Sequence, residues 1–186
     1  MTNLSSYYRV DRQNRIIDVG GDWDDFALSN SADECHSSYV VGDGLLSHVS
    51  GEATRMWLEA LLQLTRWGEE PVTRHYRCDA PNIRRRFKLT TTKEEARTVL
   101  VQHDLLVETR MPVRVDIRTA MPGERTVGRC SICNSVQNGP GWIDPFSLSV
   151  DQEYSVAHNV CPVCSTCSST ALARHGIAPS DLRARH

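Results

Sequence analysis

Residues 7–23, YYRVDRQNRIIDVGGDW, predict a β-hairpin that leads into a helix. Two short runs with β-branched and aromatic residues, YYRV and RIIDV, flank the turn-forming segment DRQN. Asp22 is suited to cap the helix that follows, in which Trp23, Phe26 and Ala27 recur at helical spacing. The chain therefore opens with two strands and a short helix.

The clearest helical pattern in the chain is SGEATRMWLEALLQLTRWG, residues 50–68. Ser50 is a candidate N-cap, Glu52 suits the positive start of a helix, and Gly68 supplies the end. Apolar side chains three or four positions apart predict one buried stripe, made of Met56, Trp57, Ala60, Leu61 and Leu64.

After Pro71 the pattern changes to strands, VTRHYRCD, RRRFKLTT and RTVLVQHDLLV. In the last strand period-two spacing predicts a shared face for Val99, Val101, His103, Leu105 and Val107. Two strands, several short helices and three strands indicate an α+β fold, an antiparallel sheet with its helices on one side. We interpret His103 as a core histidine bonded to backbone rather than as a ligand contact.

In their order and local sequence, residues 6–110 resemble a PAS domain. The similarity lies in the opening hairpin, the W..FA..N helix from Trp23 to Asn30, VVGDGL at 40–45, the long helix, and YRCDAP..RRRF at 76–87. The resemblance implies a sensing or interaction module. Its five-stranded antiparallel sheet carries helices that cover a pocket, and such modules often pair as dimers. We assign residues 1–112 to this domain.

The sequence does not identify a ligand for that pocket. The flavin-binding branch of the family carries its reactive cysteine in an NCRFLQ-like segment, from which DECHSS around Cys35 departs. The haem-binding branch takes an axial histidine from the long helix, and residues 52–66 contain none. Cys78 is expected to be a small buried strand residue. The arginines at 84–86 alternate across a strand and are expected to form ion pairs on a solvated face, with anion binding as the weaker alternative.

Four cysteines in two C-x2-C pairs predict a zinc site. Cys130 and Cys133 lie in CSIC, and 27 residues later Cys161 and Cys164 lie in CPVC. Zinc favours four tetrahedral thiolate or imidazole ligands, and each short pair supplies two adjacent corners. His158 and Cys167 are rivals for one position. The predicted division of the chain is a linker over 113–128, in which VRVDI could add a strand, a four-cysteine zinc module over 129–176, and a tail over 177–186.

The second pair opens a predicted helix, with Pro162 in its first turn and Gly176 at its end. A two-ligand turn, a hairpin and a helix start resemble a treble-clef zinc fold, with Trp142 in its small core. CSICNSV, GW at 141–142, EY at 153–154 and H..CPVC at 158–164 follow one another in this segment. In these motifs it resembles a cysteine module that follows PAS or receiver domains in some bacterial signalling proteins. Ile132 and Asn134 depart from the usual CxWCK sequence of that module.

Function is predicted from these two parts and from what the chain lacks. The net charge of −2 gives no overall attraction to nucleic acid, and no phosphate loop, GxSxG elbow or HExxH helix occurs. No signal peptide or membrane span is expected, which predicts a protein of the reducing cytoplasm. Clustered cysteines there more often bind metal or do redox work than form disulfides. A closed four-thiolate site is structural rather than hydrolytic.

We therefore expect a non-enzymatic sensory or regulatory protein, not membrane-bound, that acts through a partner protein or a second copy of itself and can take a small-molecule ligand. One alternative is a redox switch at Cys161, Cys164 or Cys167. Another is a zinc-dependent nucleic-acid regulator that uses Arg174, Arg183 and Arg185, which the charge makes the weaker hypothesis.

Overall fold

The computed structural model of the protein describes residues 4–148 and 153–166. Its first part contains five strands, β1 (Ser5–Val10), β2 (Ile16–Gly21), β3 (Val72–Arg77), β4 (Ile83–Lys93) and β5 (Val99–Arg110). Three helices lie between β2 and β3, namely α1 (Trp23–Ser29), α2 (Ser37–Val40) and α3 (Glu52–Trp67). The second part contains β6 (Ile117–Thr119), β7 (Val127–Cys130), β8 (Val136–Asn138), β9 (Gly141–Ile143) and β10 (Tyr154–Asn159).

The first five strands form one antiparallel sheet in the order β2-β1-β5-β4-β3. The predicted α+β class with a five-stranded antiparallel sheet is therefore confirmed. One face of the sheet and the long helix bury a common apolar core, whose members include Tyr8, Val10, Leu58, Leu61, Leu62, Leu89, Val99 and Val101. This core holds the long helix against the middle of the sheet.

Helix α3 buries part of the predicted stripe, Leu61 and Leu64, and Trp57 packs against the same core. Leu58, Leu61 and Leu62 are buried together with Leu64, whereas Met56 is 51% exposed. Met56 precedes Leu58 by two residues, about 200° around the helix, and so it points to solvent. Gly68 ends the helix as predicted and donates its N–H to Leu64 O. No helix within residues 4–148 and 153–166 is long and apolar enough to cross a membrane.

Two predicted caps are replaced by other contacts. Gly51, not Ser50, precedes the first residue of α3, with φ 83° and ψ 130°. Asp22 precedes α1, but its side chain does not cap that helix. The Asp22 carboxylate instead accepts the backbone N–H of Ser5 at 2.8 Å and so fixes the start of β1.

The period-two pattern of β5 ends at a β-bulge. Phe87 pairs with Leu105 and Arg86 pairs with Val107, so Leu106 is an extra residue in β5. Val99 and Val101 are fully buried as predicted, but Val107 is 48% exposed. The bulge shifts the alternation by one residue and turns Val107 away from the core.

Arg66 ties the two strand connections at one end of the sheet together. Its Nη2 donates to Asp11 O and Asn14 Oδ1, both at 2.7 Å, and its Nε donates to Arg97 O at 3.3 Å. Asn14 and Arg97 have φ of 59° and 63°, left-handed conformations that non-glycine residues rarely adopt. Arg66 therefore holds two turns whose backbones are intrinsically unfavourable.

The second sheet has the order β6-β10-β7-β8-β9. Strand β10 runs parallel to β6 and β7, and the β7-β8 and β8-β9 pairs are antiparallel. Strand β6 begins at Ile117, the last residue of the VRVDI segment. The range 113–128 thus contributes one complete strand and the start of β7 to this sheet, in addition to connecting the two parts of the chain.

Candidate metal centre

The two C-x2-C pairs meet at one point beside the second sheet. The Sγ atoms of Cys130, Cys133, Cys161 and Cys164 all lie within 4.8 Å of one another. Of the first pair, Cys130 is the last residue of β7 and Cys133 lies in the turn before β8. The second pair flanks the start of a helical segment, 162–166, that follows β10. Because β10 pairs directly with β7, the sheet brings these sequence-distant pairs together.

The first cysteine turn is closed by backbone hydrogen bonds. Asn134 donates its N–H to Cys130 O at 2.8 Å, and Cys130 donates its N–H to Ser135 O at 2.8 Å. Asn134 has φ 61°, which asparagine tolerates better than most residues. The conformation of this turn therefore depends on Asn134, at the position where the resembled cysteine module has lysine.

The sulfur positions suit tetrahedral coordination. Cys133 Sγ lies 3.7 Å from Cys161 Sγ, and a tetrahedral zinc with Zn–S bonds of about 2.3 Å separates its ligand atoms by about 3.8 Å. The backbone N–H of Cys161 points to Cys130 Sγ at 3.4 Å and favours its thiolate form. Four cysteines in this arrangement can bind a metal ion such as zinc.

The four thiols also influence one another electrostatically. Burial raises the pKa of Cys130 and of Cys164, and neighbouring cysteine thiolates raise both further. Burial acts in the same direction on Cys133, but hydrogen bonds led by those from Ser135 outweigh it and set the pKa of Cys133 at about 7. Four thiolates this close repel one another unless a positive ion lies between them.

Of the two alternative ligands, His158 and Cys167, the structure describes only His158. His158 lies on β10, where its Nε2 is 3.2 Å from Thr119 Oγ1 and its Nδ1 is 3.5 Å from Ser131 Oγ. The imidazole therefore contacts two hydroxyl groups and is not part of the four-cysteine cluster. Cys167 lies outside the described residues, as does the predicted helix end at Gly176.

The first cysteine turn also contacts the first part of the protein. Thr54 Oγ1 on α3 lies 2.6 Å from Ser131 Oγ, and Arg77 on β3 donates its backbone N–H to Ile132 O at 2.8 Å. Both contact residues, Ser131 and Ile132, lie between the two cysteines of the first pair. The turn that holds two candidate ligands is thus also the surface that docks on α3 and β3.

Gly51 permits this close approach. A Cβ atom at Gly51 would lie 2.7 Å from His158 O, closer than van der Waals contact allows. The backbone conformation of Gly51 is also one that only glycine adopts readily. The sequence pattern gave no indication of this contact, since a glycine before a helix is ordinarily explained by the helix start alone.

Side chains of the second sheet provide only a small core. Val136 and Val156 are 1% exposed, and Cys130 is fully buried. Trp142, predicted to pack in this core, is half-buried. Its ring lies against Gly128, because a Cβ atom added at Gly128 would be 3.1 Å from Trp142 Cη2. With so little apolar burial among the described residues, a metal ion held by the four cysteines would add to the stability of this part.

No protein-family model, curated protein or solved structure is significantly similar to this chain.

The second candidate site surrounds His103, which lies on β5 of the first sheet. Its Nδ1 lies 2.8 Å from Tyr76 Oη, and its ring centroid is 5.5 Å from that of Tyr8. His103 was predicted to bond to backbone, and it bonds to a tyrosine hydroxyl instead. Burial lowers the pKa of His103 to about 4, against a weaker opposing effect of Asp104. The imidazole is therefore neutral at pH 7.

Cys35, Cys78 and the arginines at 84–86 are the remaining candidate residues. Cys35 and Cys78 lie outside the four-cysteine cluster, and burial raises the pKa of both thiols. Arg84 pairs with Asp144 at 2.9 Å, and Arg85 pairs with Glu108 at 2.7 Å. The predicted ion pairs are present, but Arg85 is only 8% exposed, so the run does not form one solvated face.

Proposed function

We propose that this chain is a bacterial-type sensory or regulatory signalling protein. A PAS-like domain senses a small ligand or a partner, and a structural zinc module passes the change on through protein contacts. The observation that carries the proposal is the docking of the Cys130–Cys133 turn on α3 and β3 through Ser131 and Ile132. A shift of the long helix would move a zinc ligand turn directly.

The five-stranded antiparallel sheet, with three helices between its second and third strands, supports the PAS assignment. The cysteine turn, the β8-β9 hairpin and the helical start at 162–166 support a treble-clef-like module. Four thiolates would fill the tetrahedral positions of zinc and leave none for a reactive water. A structural zinc therefore fits a non-enzymatic protein that acts through a partner or a second copy of itself.

The first experiment measures zinc in the purified full chain by native mass spectrometry. We expect one zinc per chain in the wild type and none in Cys161→Ser, because Cys161 is 3% exposed and central to the cluster. Cys35→Ser is the matched control and keeps its zinc, since Cys35 lies outside the cluster. Zinc retained by Cys161→Ser, or no zinc in the wild type, would contradict the proposed site.

A second measurement tests the coupling between the two parts. Hydrogen exchange of the amides of α3 is compared before and after zinc is removed with a chelator. We expect faster exchange in the first turns of α3, near Thr54, and unchanged exchange in β1. Unchanged exchange throughout α3 would mean that zinc stabilises only the second part of the protein. It would contradict the proposed coupling between the cysteine turn and α3.

A redox switch is the second candidate, favoured by the 3.7 Å separation of Cys133 Sγ and Cys161 Sγ. Peroxide would take two electrons from this pair to form one disulfide, would be reduced to water, and would release the zinc. Zinc release in step with disulfide formation at low peroxide would favour this candidate. Arg174, Arg183 and Arg185, on which the nucleic-acid alternative depends, lie outside the described residues.

A further inference from the structure

A cavity of about 50 Å³ lies where the two parts of the protein meet. One wall is the turn after β3, at 79–81, and the opposite wall comes from Val115, Ile117 and Arg129 of the second part. Pro145 and Phe146 close a further side. The walls are fixed, since Val115 donates its N–H to Pro81 O at 2.8 Å and Pro145 is buried.

Arg129 brings an unpaired positive charge to this cavity. Its Nε is buried and has no hydrogen-bond acceptor within the described part of the chain. Among residues 4–148 and 153–166, no carboxylate lies within ion-pair distance of its guanidinium, whereas Arg77, Arg84 and Arg85 are all paired. A buried N–H donor without an acceptor is costly, and the nearby Asp79 attracts the Arg129 charge without forming an ion pair with it, so this guanidinium is suited to meet an anion.

The carboxylates nearby are already engaged. Asp79 lines the cavity, but its side chain pairs with Arg77 and accepts the backbone N–H of Arg85 at 3.0 Å. Asp144 accepts from Arg77 at 2.8 Å and from Arg84 at 2.9 Å. Three guanidinium groups, those of Arg77, Arg84 and Arg129, thus face two carboxylates. One positive charge is left over.

A second unsatisfied donor lies beside the same wall. Arg84 stacks over the Phe146 ring, with Cζ 5.4 Å from the ring centroid, and its Nε is buried without an acceptor in the described residues. Phe146 is part of the cavity lining. The region therefore holds two buried N–H groups without acceptors and is otherwise bounded largely by apolar side chains.

We propose that this cavity binds a short-chain carboxylate, with the carboxylate group on Arg129 and the alkyl group against Ile117, Pro145 and Phe146. A volume near 50 Å³ has room for about four water-sized groups, the size of acetate, and the cavity is partly open, so the terminal methyl of propionate can extend from it. Because the walls come from both parts of the chain, the bound acid stabilises their docking. The site is separate from the proposed zinc site and from the PAS-like interior.

The experiment titrates full-length, zinc-loaded protein with sodium propionate and follows backbone amides in ¹H–¹⁵N spectra. Sodium chloride holds the ionic strength constant, and sodium sulfate is titrated in parallel. We expect saturable shifts, with a Kd of about 1 mM for so small a ligand, at the amides of residues 79, 80, 115, 117 and 129.

Three variants locate the response. Arg129→Gln removes the charge, and Ile117→Phe fills the cavity and leaves Arg129 in place. Arg118→Gln, on the surface of β6, is the matched control. We expect the first two to weaken propionate binding at least tenfold and the control to bind like the wild type. Zinc content and spectral dispersion report folding, and Ile117→Phe decides the test if Arg129→Gln does not fold.

Each remaining outcome overturns the proposal. Shifts that do not saturate at tens of millimolar propionate show that no site exists. Equal binding by Arg129→Gln or Ile117→Phe shows that the acid binds elsewhere, and equal shifts with sulfate show a general anion site. Zinc stoichiometry is measured on the same samples, so failure of the carboxylate site leaves the zinc proposal standing, and the reverse also holds.

Discussion

The side-chain oxygens of Thr54 and Ser131 lie 2.6 Å apart and join the first turn of α3 to the turn between Cys130 and Cys133. Both residues are half-buried, so water competes only weakly for this hydrogen bond. It is the shortest described link between the long helix and the four-cysteine cluster. The stability of the cluster and the position of the helix are therefore expected to depend on each other.

A double-mutant cycle measures this dependence. Thr54→Val and Ser131→Ala each remove one partner, and we expect a coupling free energy of about 1 kcal/mol from chemical unfolding of the zinc-loaded protein. Ser47→Ala, whose hydroxyl donates to Gly44 O, is combined with Ser131→Ala as the control cycle and should show coupling near zero. Equal coupling in both cycles would mean that the Thr54–Ser131 bond has no specific role.

Gly51→Ala tests the close approach of the two parts. Both Gly51 and Gly42 have positive φ, 83° and 99°, but an added Cβ meets His158 O only at Gly51, while Gly42 has open space around it. Gly42→Ala therefore reports backbone strain alone. We expect Gly51→Ala to lower the free energy of unfolding by about 1–3 kcal/mol more than Gly42→Ala does, in urea denaturation. Similar losses would show that the docking surface yields easily.

Arg66→Met tests the link between the two turns. The substitution removes the guanidinium donor to Asp11 O, Asn14 Oδ1 and Arg97 O, of which Asp11 O keeps the N–H of Asn14. We expect a loss of about 2–3 kcal/mol in unfolding free energy. Arg55→Met on the same helix is the control, since Arg55 is exposed and its Nε makes one hydrogen bond, to Val49 O. A loss no larger than that of the control would refute the bracing role.

His103 makes stability depend on pH. Burial holds its folded-state pKa at about 4, below the ordinary value of 6.5, so the unfolded chain binds more protons between these values. The stability it contributes is fully present above pH 6.5 and falls as the pH drops toward 4. Between pH 7 and pH 5 the wild type should lose about 2 kcal/mol more than His103→Phe.

The control for this pH effect is Tyr76→Phe. That variant removes the hydroxyl that contacts Nδ1 but retains the buried imidazole, so its pH dependence should follow that of the wild type. All three proteins carry the same four cysteines, and acid release of metal therefore cancels in the comparison. Identical pH profiles for the wild type and His103→Phe would show that the imidazole is hydrated in the folded state.

The α+β class and the meeting of the four cysteines could be predicted because both follow from local signals. Alternating and helical periodicities gave the strands and the long helix, and the equal spacing of two cysteine pairs gave the cluster. The exposure of Met56 and of Val107 could not be predicted. It depends on which side of α3 faces the sheet and on the bulge at Leu106, both of which tertiary packing decides.

The contacts between the two parts of the chain could not be predicted from the sequence. Ser131 and Thr54 are small polar residues without periodicity, and Gly51 has an ordinary local explanation. Nothing in the sequence distinguishes Arg129 from other strand arginines. Its unsatisfied Nε follows from the structure, in which Asp79 and Asp144 pair with Arg77 instead. Such features depend on neighbours far away in the chain, which a single sequence does not reveal.

The central position of β10 has a consequence for biosynthesis. This strand is the last of those described, yet it lies between β6 and β7 and is immediately followed by Cys161 and Cys164. Before β10 has been synthesised, β6 and β7 lack the strand that pairs with both of them. At that stage Cys130 and Cys133 also lack the other two cysteines of the cluster. The N-terminal sheet can form during translation, but the C-terminal sheet is complete only after β10, which ends at Asn159, has left the ribosome.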